Sequence, residues 1–261
     1  MGKVAVVQFP GSNCDYETLD ACLFYGLKAS FLRWTASLEE CQAYDAFILP
    51  GGFSYQDRIR AGVVASKLPL LRGISLAAKQ GYPVLGICNG CQILAEAGLV
   101  PDIPDLDGLQ MALAENRYDQ RSIGFICDWV YVRFEQAHKS LFTRYFSDTD
   151  VLPVPINHGE GRFVFSSSFK KDTLELLSVM RYVDVKGSDV MPLNGSTYSV
   201  AGLSNQRGNI FAMMPHPERA AFHKQVPVSI KGSGYKSRNT QNMQGFGPWE
   251  KLFVSLKDAL S

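Results

Sequence analysis

The ten residues Pro83-Val-Leu-Gly-Ile-Cys-Asn-Gly-Cys-Gln92 constrain the fold of this chain more than any other stretch. Val84, Leu85 and Ile87 form a short apolar run that suits a buried strand, and Gln92 to Ala97 are good helix formers, so a strand hands over to a helix at a sharp corner. Gly86 and Gly90 bracket Cys88 at that corner. Flanking residues without side chains let strand and helix approach closely and force the central side chain up into the turn, which is the geometry of a nucleophile elbow. A cysteine placed there sits at a helix N-terminus, where unpaired amides and the positive end of the dipole favour thiolate over thiol.

Two plainer readings compete. A cysteine on an apolar segment is commonly a small buried hydrophobe, and Cys88-x-x-Cys91 has the spacing of half a metal site or of a redox pair. The six cysteines contain no second Cys-x-x-Cys, which argues against a four-thiolate zinc site, and no metal is expected. A redox pair needs neither the glycine frame nor a distant His-Glu pair.

The rest of the chain alternates strand and helix. Val4 to Val7 reads as a buried first strand, Leu19, Cys22 and Leu23 recur at helical spacing until Gly26, and Ala29 to Trp34 and Ala46 to Leu49 read as the next strands. Leu38 to Cys41 suits a short helical turn, and Leu68 to Gln80 a helix that Gly81 ends. This order predicts an α/β fold with an open, mostly parallel, doubly wound sheet, flavodoxin-like, with helices on both faces and antiparallel pieces after Pro101. Ligands bind at the carboxyl edge of such sheets, so Asn13 and Asp15, after the first strand, are candidates for the rim of a site, although capping the next helix is the commoner job for either.

After the third strand comes Pro50-Gly-Gly-Phe-Ser54. Adjacent glycines can expose bare amides, as an oxyanion hole requires, so Gly51 and Gly52 are candidates; the plain alternative is a turn. Further along, Trp129 to Phe134 alternates and reads as a half-exposed strand, and Val151 to Ile156 as an extended stretch. His158-Gly-Glu-Gly-Arg-Phe163 either orients a substrate or partner, or is a solvated turn with an internal ion pair. Ser199 to Leu203 and Asn209 to Met213 suggest a hairpin running into Pro215-His-Pro-Glu-Arg219. Proline on each side of His216 keeps the backbone extended, so Glu218 can hold one imidazole nitrogen while the other acts as a base. Cys88, His216 and Glu218 together form a candidate triad.

These motifs carry a resemblance. Gly86-Ile-Cys-Asn-Gly-Cys-Gln92, Pro50-Gly-Gly-Phe-Ser-Tyr55 and Pro215-His-Pro-Glu-Arg-Ala220 resemble the three signatures of class I glutamine amidotransferases. Phe9-Pro-Gly-Ser-Asn-Cys-Asp15, His158 to Phe163 and Asn194-Gly-Ser196 are similar to the glutaminase-subunit family of phosphoribosylformylglycinamidine synthase. The resemblance implies that Cys88 attacks the side-chain amide of L-glutamine, that His216 and Glu218 handle the protons, that the amides of Gly52 and Asn89 stabilise the oxyanion, and that Gln92 helps hold the substrate. It also implies a partner synthetase subunit that uses ATP and Mg, and a small accessory subunit. No cofactor is expected in this chain, which has no Walker-type phosphate loop. Two rivals remain at this point: a cysteine hydrolase on a similar sheet, against which Asn89 after Cys88 counts, and a catalytically idle binding subunit.

Two positions depart from the family pattern. Gln56 follows Ser-Tyr where glycine is usual, and Cys91 replaces an aromatic or aliphatic residue and, so near Cys88, could permit an oxidised, inactive state. The chain of 261 residues reads as a single amidotransferase domain, with a divergent polar loop and helix at about 225–261. That loop carries Lys231, Lys236 and Arg238 and reads as a mobile surface loop; Trp249, Leu252, Phe253, Leu256 and Leu260 repeat at helical spacing after it. A net charge of +1 gives no reason to expect nucleic acid or membrane, and scattered cysteines without a signal peptide point to the cytoplasm.

Overall fold

Apolar runs that do not alternate must be covered on both faces, and they are. Strands β1 (Lys3–Gln8), β3 (Ala46–Leu49) and β4 (Val84–Ile87) are buried, the last two at every residue. The computed structural model describes residues 2–104, 109–167, 169–230 and 245–261. With β2 (Lys28–Arg33), β8 (Ile126–Phe134), β9 (Val151–His158), β11 (Ser178–Val183), β12 (Val200–Ser204) and β13 (Ile210–Met213), these strands form one nine-stranded sheet. Its order is β2-β1-β3-β4-β13-β12-β11-β8-β9. Neighbours from β2 to β13 are parallel, and those from β13 to β9 are antiparallel. The fold is therefore α/β with a mixed sheet, and the expected antiparallel continuation is real. Small strands β5 (Met111–Ala114) and β10 (Arg162–Phe165) pair separately, as do β6 (Arg117–Tyr118) and β7 (Arg121–Ser122).

The chain leaves β1 first towards β2 and then returns past it to β3 and β4. Right-handed crossovers in opposite directions place the connecting helices on opposite faces. Helix α1 (Asp15–Phe24) joins β1 to β2 and lies beside the terminal helix α7 (Glu250–Ala259), where Tyr25 stacks on Phe253 at 5.1 Å. Helix α4 (Pro69–Lys79) packs on the short α2 (Leu38–Cys41), which is closed by a Ser37–Glu40 capping box. Helix α3 (Val63–Ser66) packs on α5 (Asn89–Glu96), the helix that follows the elbow. Helix α6 (Lys171–Leu177) leads into β11.

The C-terminal pattern produces α7, which seals the sheet. Trp249, Leu252, Phe253 and Leu256 are fully buried, each worth about 1.5–3 kcal/mol of apolar burial. Trp249 sits 5.8 Å from Phe134 and 5.9 Å from Phe146, which stack on each other at 4.1 Å. The polar loop before this helix falls largely on residues 231–244, including Lys231, Lys236 and Arg238, which lie outside the described residues.

Two local expectations differ from the structure. Neither Asn13 nor Asp15 caps α1: its N-cap is Cys14, without a side-chain cap, and Asp15 instead accepts from Gln8 Nε2 at 2.7 Å. The segment His158 to Phe163 is not a solvated turn, because His158 ends β9 buried and Arg162 enters β10, where its Nε donates to the Glu115 carbonyl.

Candidate active site

The corner at Cys88 is built as the glycines demand. Cys88 adopts φ 51°, ψ −105°, a strained conformation for a side-chain-bearing residue, between the last residue of β4 and the first of α5. A Cβ on Gly90 would stand 1.9 Å from the Leu49 carbonyl oxygen, and one on Gly86 would stand 2.5 Å from Leu94. Strand, helix and the neighbouring β3 thus pack too tightly for any other residue, and the packing over-determines the strain at Cys88.

His216 follows β13, the parallel neighbour of β4, so both reach the same carboxyl edge. Its Nδ1 bonds Glu218 Oε1 at 2.6 Å, with the two side chains 1% and 0% exposed. Burial of the ring opposes the charged imidazolium, but the Glu218 carboxylate and then Cys88 outweigh it, and His216 is held well above the usual histidine range. Cys88 acts on the ring both as a charge and as a hydrogen-bonding group, yet no atom reaches His216 Nε2 at full hydrogen-bonding distance. Such a contact is loose at rest and tightens around substrate. A ready imidazolium is a proton donor for a leaving nitrogen.

The antiparallel strands supply the opposite wall. β9 ends the sheet order, yet two of its residues contact Cys88 and His216. Pro155 O accepts from the His216 amide at 2.9 Å, and Asn157 O takes the Cys88 thiol at 3.6 Å. Sequence reasoning left these carbonyls out, since residues 155 and 157 meet Cys88 and His216 only in the folded chain.

Gly51 lies against the His216 ring, and Gly52 against the loop after β1. The Gly51 carbonyl accepts from the Asn13 and Cys14 amides, and its α-carbon faces the His216 ring so closely that a Cβ would stand 2.6 Å from Cε1. Gly52 pairs with Ser12 in a bridge whose hydrogen bonds use the flanking residues, so its amide donates to no backbone acceptor among the described residues. The Asn89 amide is the first of α5 and has no intrahelical partner either. The Asn89 amide is thus bare next to Cys88, and the Gly52 amide is bare in the loop that follows β3.

Asn89 and Gln92 act through their side chains as braces. Asn89 Oδ1 accepts from the Ser54 amide at 3.1 Å, and its Nδ2 donates to Gln92 Oε1 at 2.9 Å and to Asp57 at 3.3 Å. Gln92, 5% exposed, donates in turn to the Glu160 carbonyl at 2.6 Å. Its amide ties the His158 to Phe163 segment to the elbow helix. Glu160 also accepts from the Ala61 amide, and Arg60 forms a two-bond pair with Glu96 of α5 at 2.7 and 2.6 Å. Burial, and then the charge of Glu160, push Asp57 up to about 6.

Cys14 was not singled out as a functional residue, although it belongs to the Phe9 to Asp15 motif. It is 1% exposed, and its Sγ lies 3.8 Å from His216 Nδ1 and 3.2 Å from Asn13 Oδ1. Burial pushes its thiol up, against the bond to His216. Cys14, His216 and Glu218 offer donor atoms within 4.8 Å of one another. The 2.6 Å hydrogen bond between two of them is shorter than the spacing of about 3.3 Å between ligands of one tetrahedral zinc, so the trio fits a proton network rather than an ion. Cys91 is fully buried in α5, with a pKa pushed well above the usual thiol range by burial, and all six cysteines are unpaired.

A strained cysteine elbow, a buried His-Glu pair and flanking amides define a glutamine-amidotransferase class of site, and residues 1–258 match the CobB/CobQ-like glutamine amidotransferase domain. The chain belongs to that family. Within it, the chain is similar to the PurQ subunits of phosphoribosylformylglycinamidine synthase. It is 38% identical over 268 residues to the subunit of Methanothrix thermoacetophila, covering 98% of this chain and 97% of the relative. It is 42% identical over 225 residues to that of Methanopyrus kandleri, covering 85% and 90%. Among solved structures, one of PurLQS from Thermotoga maritima superposes with a TM-score of 0.73 at 34% identity over the whole of both chains. The glutaminase domain of Trypanosoma brucei CTPS shares the fold, with a TM-score of 0.56 at 12% identity, covering 100% of this chain and 95% of that one.

Proposed function

We propose that this chain is the glutaminase subunit of phosphoribosylformylglycinamidine synthase and works through a thioester on Cys88. Its proton having passed to His216, the Cys88 sulfur attacks the side-chain amide carbon of L-glutamine, and the amides of Gly52 and Asn89 hold the oxygen that becomes negative, each donor of this kind being worth about 100- to 1000-fold in rate. His216 gives its proton to the amide nitrogen, the carbon–nitrogen bond breaks, and ammonia leaves behind a thioester. His216, now neutral, takes a proton from water as it attacks the thioester carbon; glutamate departs and the sulfur is regenerated. Glu218 keeps the imidazole oriented throughout. The observation that carries this reading is the His216–Glu218 pair buried against a cysteine held at φ 51°.

Ammonia passes to a separate synthetase subunit, which spends ATP with Mg to convert formylglycinamide ribonucleotide to the amidine in purine biosynthesis. The relative in the PurLQS assembly supports such a partner and an additional small subunit. Unpaired thiols suit a cytoplasmic setting, and no helix among the described residues is long and apolar enough to cross a membrane. The test is glutamate release from glutamine with and without the synthetase. Release should rise with the partner and vanish in Cys88→Ala; release that survives this substitution would overturn the thioester route.

A further inference from the structure

Cys14 has no part in the bond making above, yet every polar atom it owns is engaged at the wall behind His216. Its amide donates to the Gly51 carbonyl at 3.2 Å, and its carbonyl accepts from the Thr18 amide at 3.0 Å and the Thr18 hydroxyl at 2.7 Å. Its sulfur lies 3.2 Å from Asn13 Oδ1. Thr18 is fully buried and Cys14 nearly so, and with both ends of its backbone tied the thiol has one place to stand. That place is the Nδ1 side of the His216 ring, at 3.8 Å.

Three groups close on the imidazole there. Glu218 Oε1 meets Nδ1 at 2.6 Å, and Gly51 and the Cys14 sulfur pack beside it. A Cβ on Gly51 would stand 2.6 Å from Cε1, 3.2 Å from Nδ1 and 3.1 Å from the Cys14 sulfur, so glycine, ring and sulfur meet with no room for one more carbon. Packing this close leaves the ring little freedom to turn about its Cβ–Cγ bond.

The hydrogen positions show why a thiol suits this wall. Nδ1 has one hydrogen, and the carboxylate at 2.6 Å takes it, so the thiol hydrogen goes to Asn13 Oδ1 and a sulfur lone pair faces the positive edge of the ring. Burial, opposed by the bond to His216, pushes the Cys14 thiol up, and it stays neutral. A neutral sulfur is a weak acceptor that supports the imidazolium without drawing its hydrogen away from Glu218. A second carboxylate in its place would hold the ring charged and block the step in which His216 takes a proton from water.

Resting on the glutaminase reading, we propose that Cys14 is a positioning residue for His216: its neutral sulfur, locked to Gly51, Thr18 and Asn13, holds the imidazole with Nδ1 on Glu218 and Nε2 free for Cys88 and the leaving nitrogen. Cys14 acts through the ring and exchanges no proton itself.

The test uses the assembled synthetase complex, with glutamate release followed across pH. Cys14→Ala opens space beside the ring and should lower kcat at least about 10-fold while KM stays within about two-fold, because misaligned proton transfer slows the chemistry and leaves substrate contacts in place. The alkaline limb of the kcat/KM profile, where the imidazolium is lost, should also move to lower pH, since the sulfur supports the charged ring. The other groups acting on His216 or on Cys14 are unchanged in the variant: Glu218 and Arg219 beside the ring, Cys88 at the elbow, Glu17 of α1 and His158 of β9. Cys14→Ser keeps a neutral acceptor and the bond to Asn13, and should recover part of kcat and of the limb. Where Cys14→Ala does not assemble, Cys14→Ser alone decides, because its alkaline limb must also lie below that of wild type. A variant with wild-type kcat and an unmoved limb would overturn the positioning role and leave the glutaminase reading standing. A loss of kcat with an unmoved limb would make Cys14 mere packing and overturn the role too, whereas wild-type complex that releases no glutamate would overturn the glutaminase reading itself.

Discussion

The parallel and antiparallel halves of the sheet contribute to the site by different means. The parallel half, β2 to β13, presents side chains: Cys88 and His216 stand at the ends of adjacent strands, β4 and β13, because parallel neighbours end at the same edge. The antiparallel half presents backbone and packing. Through β9 it gives the carbonyls of Pro155 and Asn157, and through β9 and β11 it gives the buried imidazole and phenol of His158 and Tyr182. One half supplies the side chains proposed to make and break bonds, and the other shapes the space around them.

The comparison predicts that substitutions in the parallel half strike rate and those in the antiparallel half strike stability. Cys88→Ala should lower glutamine-dependent turnover by about 10⁴-fold or more while ammonia-dependent synthesis by the complex continues. Glu218→Gln should lower turnover by about 10³-fold with little change in KM, since the imidazole loses its fixed orientation and its charge partner. Steady-state kinetics on both nitrogen sources check the two. If Glu218→Gln changed only KM, the division of labour would be wrong.

In the antiparallel half, Asn116→Ala removes an amide that serves four partners inside the protein and should cost about 3 kcal/mol of stability in denaturant unfolding. His158 makes the same half acid-sensitive. Its folded pKa of about 3 lies below the unfolded value near 6.5, so below pH 6.5 the unfolded chain binds a proton that the folded chain refuses. Stability should therefore fall as pH drops from about 6.5 towards 3, by about 1.4 kcal/mol per pH unit at most. His158→Gln should flatten that slope, as unfolding midpoints from pH 4 to 7 would show. The smallest effect belongs to the loop beside the oxyanion glycines, where Tyr55, Gln56 and Asp57 all adopt left-handed backbone with φ 54°, 60° and 51°. Glycine is the family's usual residue at position 56, and Gln56→Gly should leave stability unchanged or raise it by up to about 1 kcal/mol by relieving that strain.

Legibility followed locality rather than that division, since the antiparallel strands around Trp129 to Phe134, Val151 to Ile156 and Ser199 to Leu203 were readable too. The strands Ala46–Leu49 and Val84–Ile87, the helical turn Leu38–Cys41 and the terminal helix were readable because each signal lies within a few consecutive residues. The β5–β10 pair, α6 and β11 were not singled out, since pairing Met111 to Ala114 with Arg162 to Phe165 joins segments far apart in the chain. The adjacent glycines Gly51 and Gly52 could be nominated for an oxyanion hole from the turn itself, whereas Asn89 was nominated only through the family resemblance. Gln92 could be nominated near the substrate, but its amide partners, Asn89 and the Glu160 carbonyl, appear only in the folded chain.

By itself the sequence determined the elbow and the alternation of strand and helix that makes an α/β sheet, and it nominated Cys88, His216 and Glu218 as candidate nucleophile, base and orienting carboxylate. Those follow from glycine sterics, proline geometry and apolar periodicity, which act over a few residues. Only the tertiary structure decided that Pro155 and Asn157 of β9 meet His216 and Cys88, that Cys14 lies beside His216, and that His158 is sealed in one tautomer. Such features arise from close packing and hydrogen-bond satisfaction among distant segments, and no short stretch of the chain contains them.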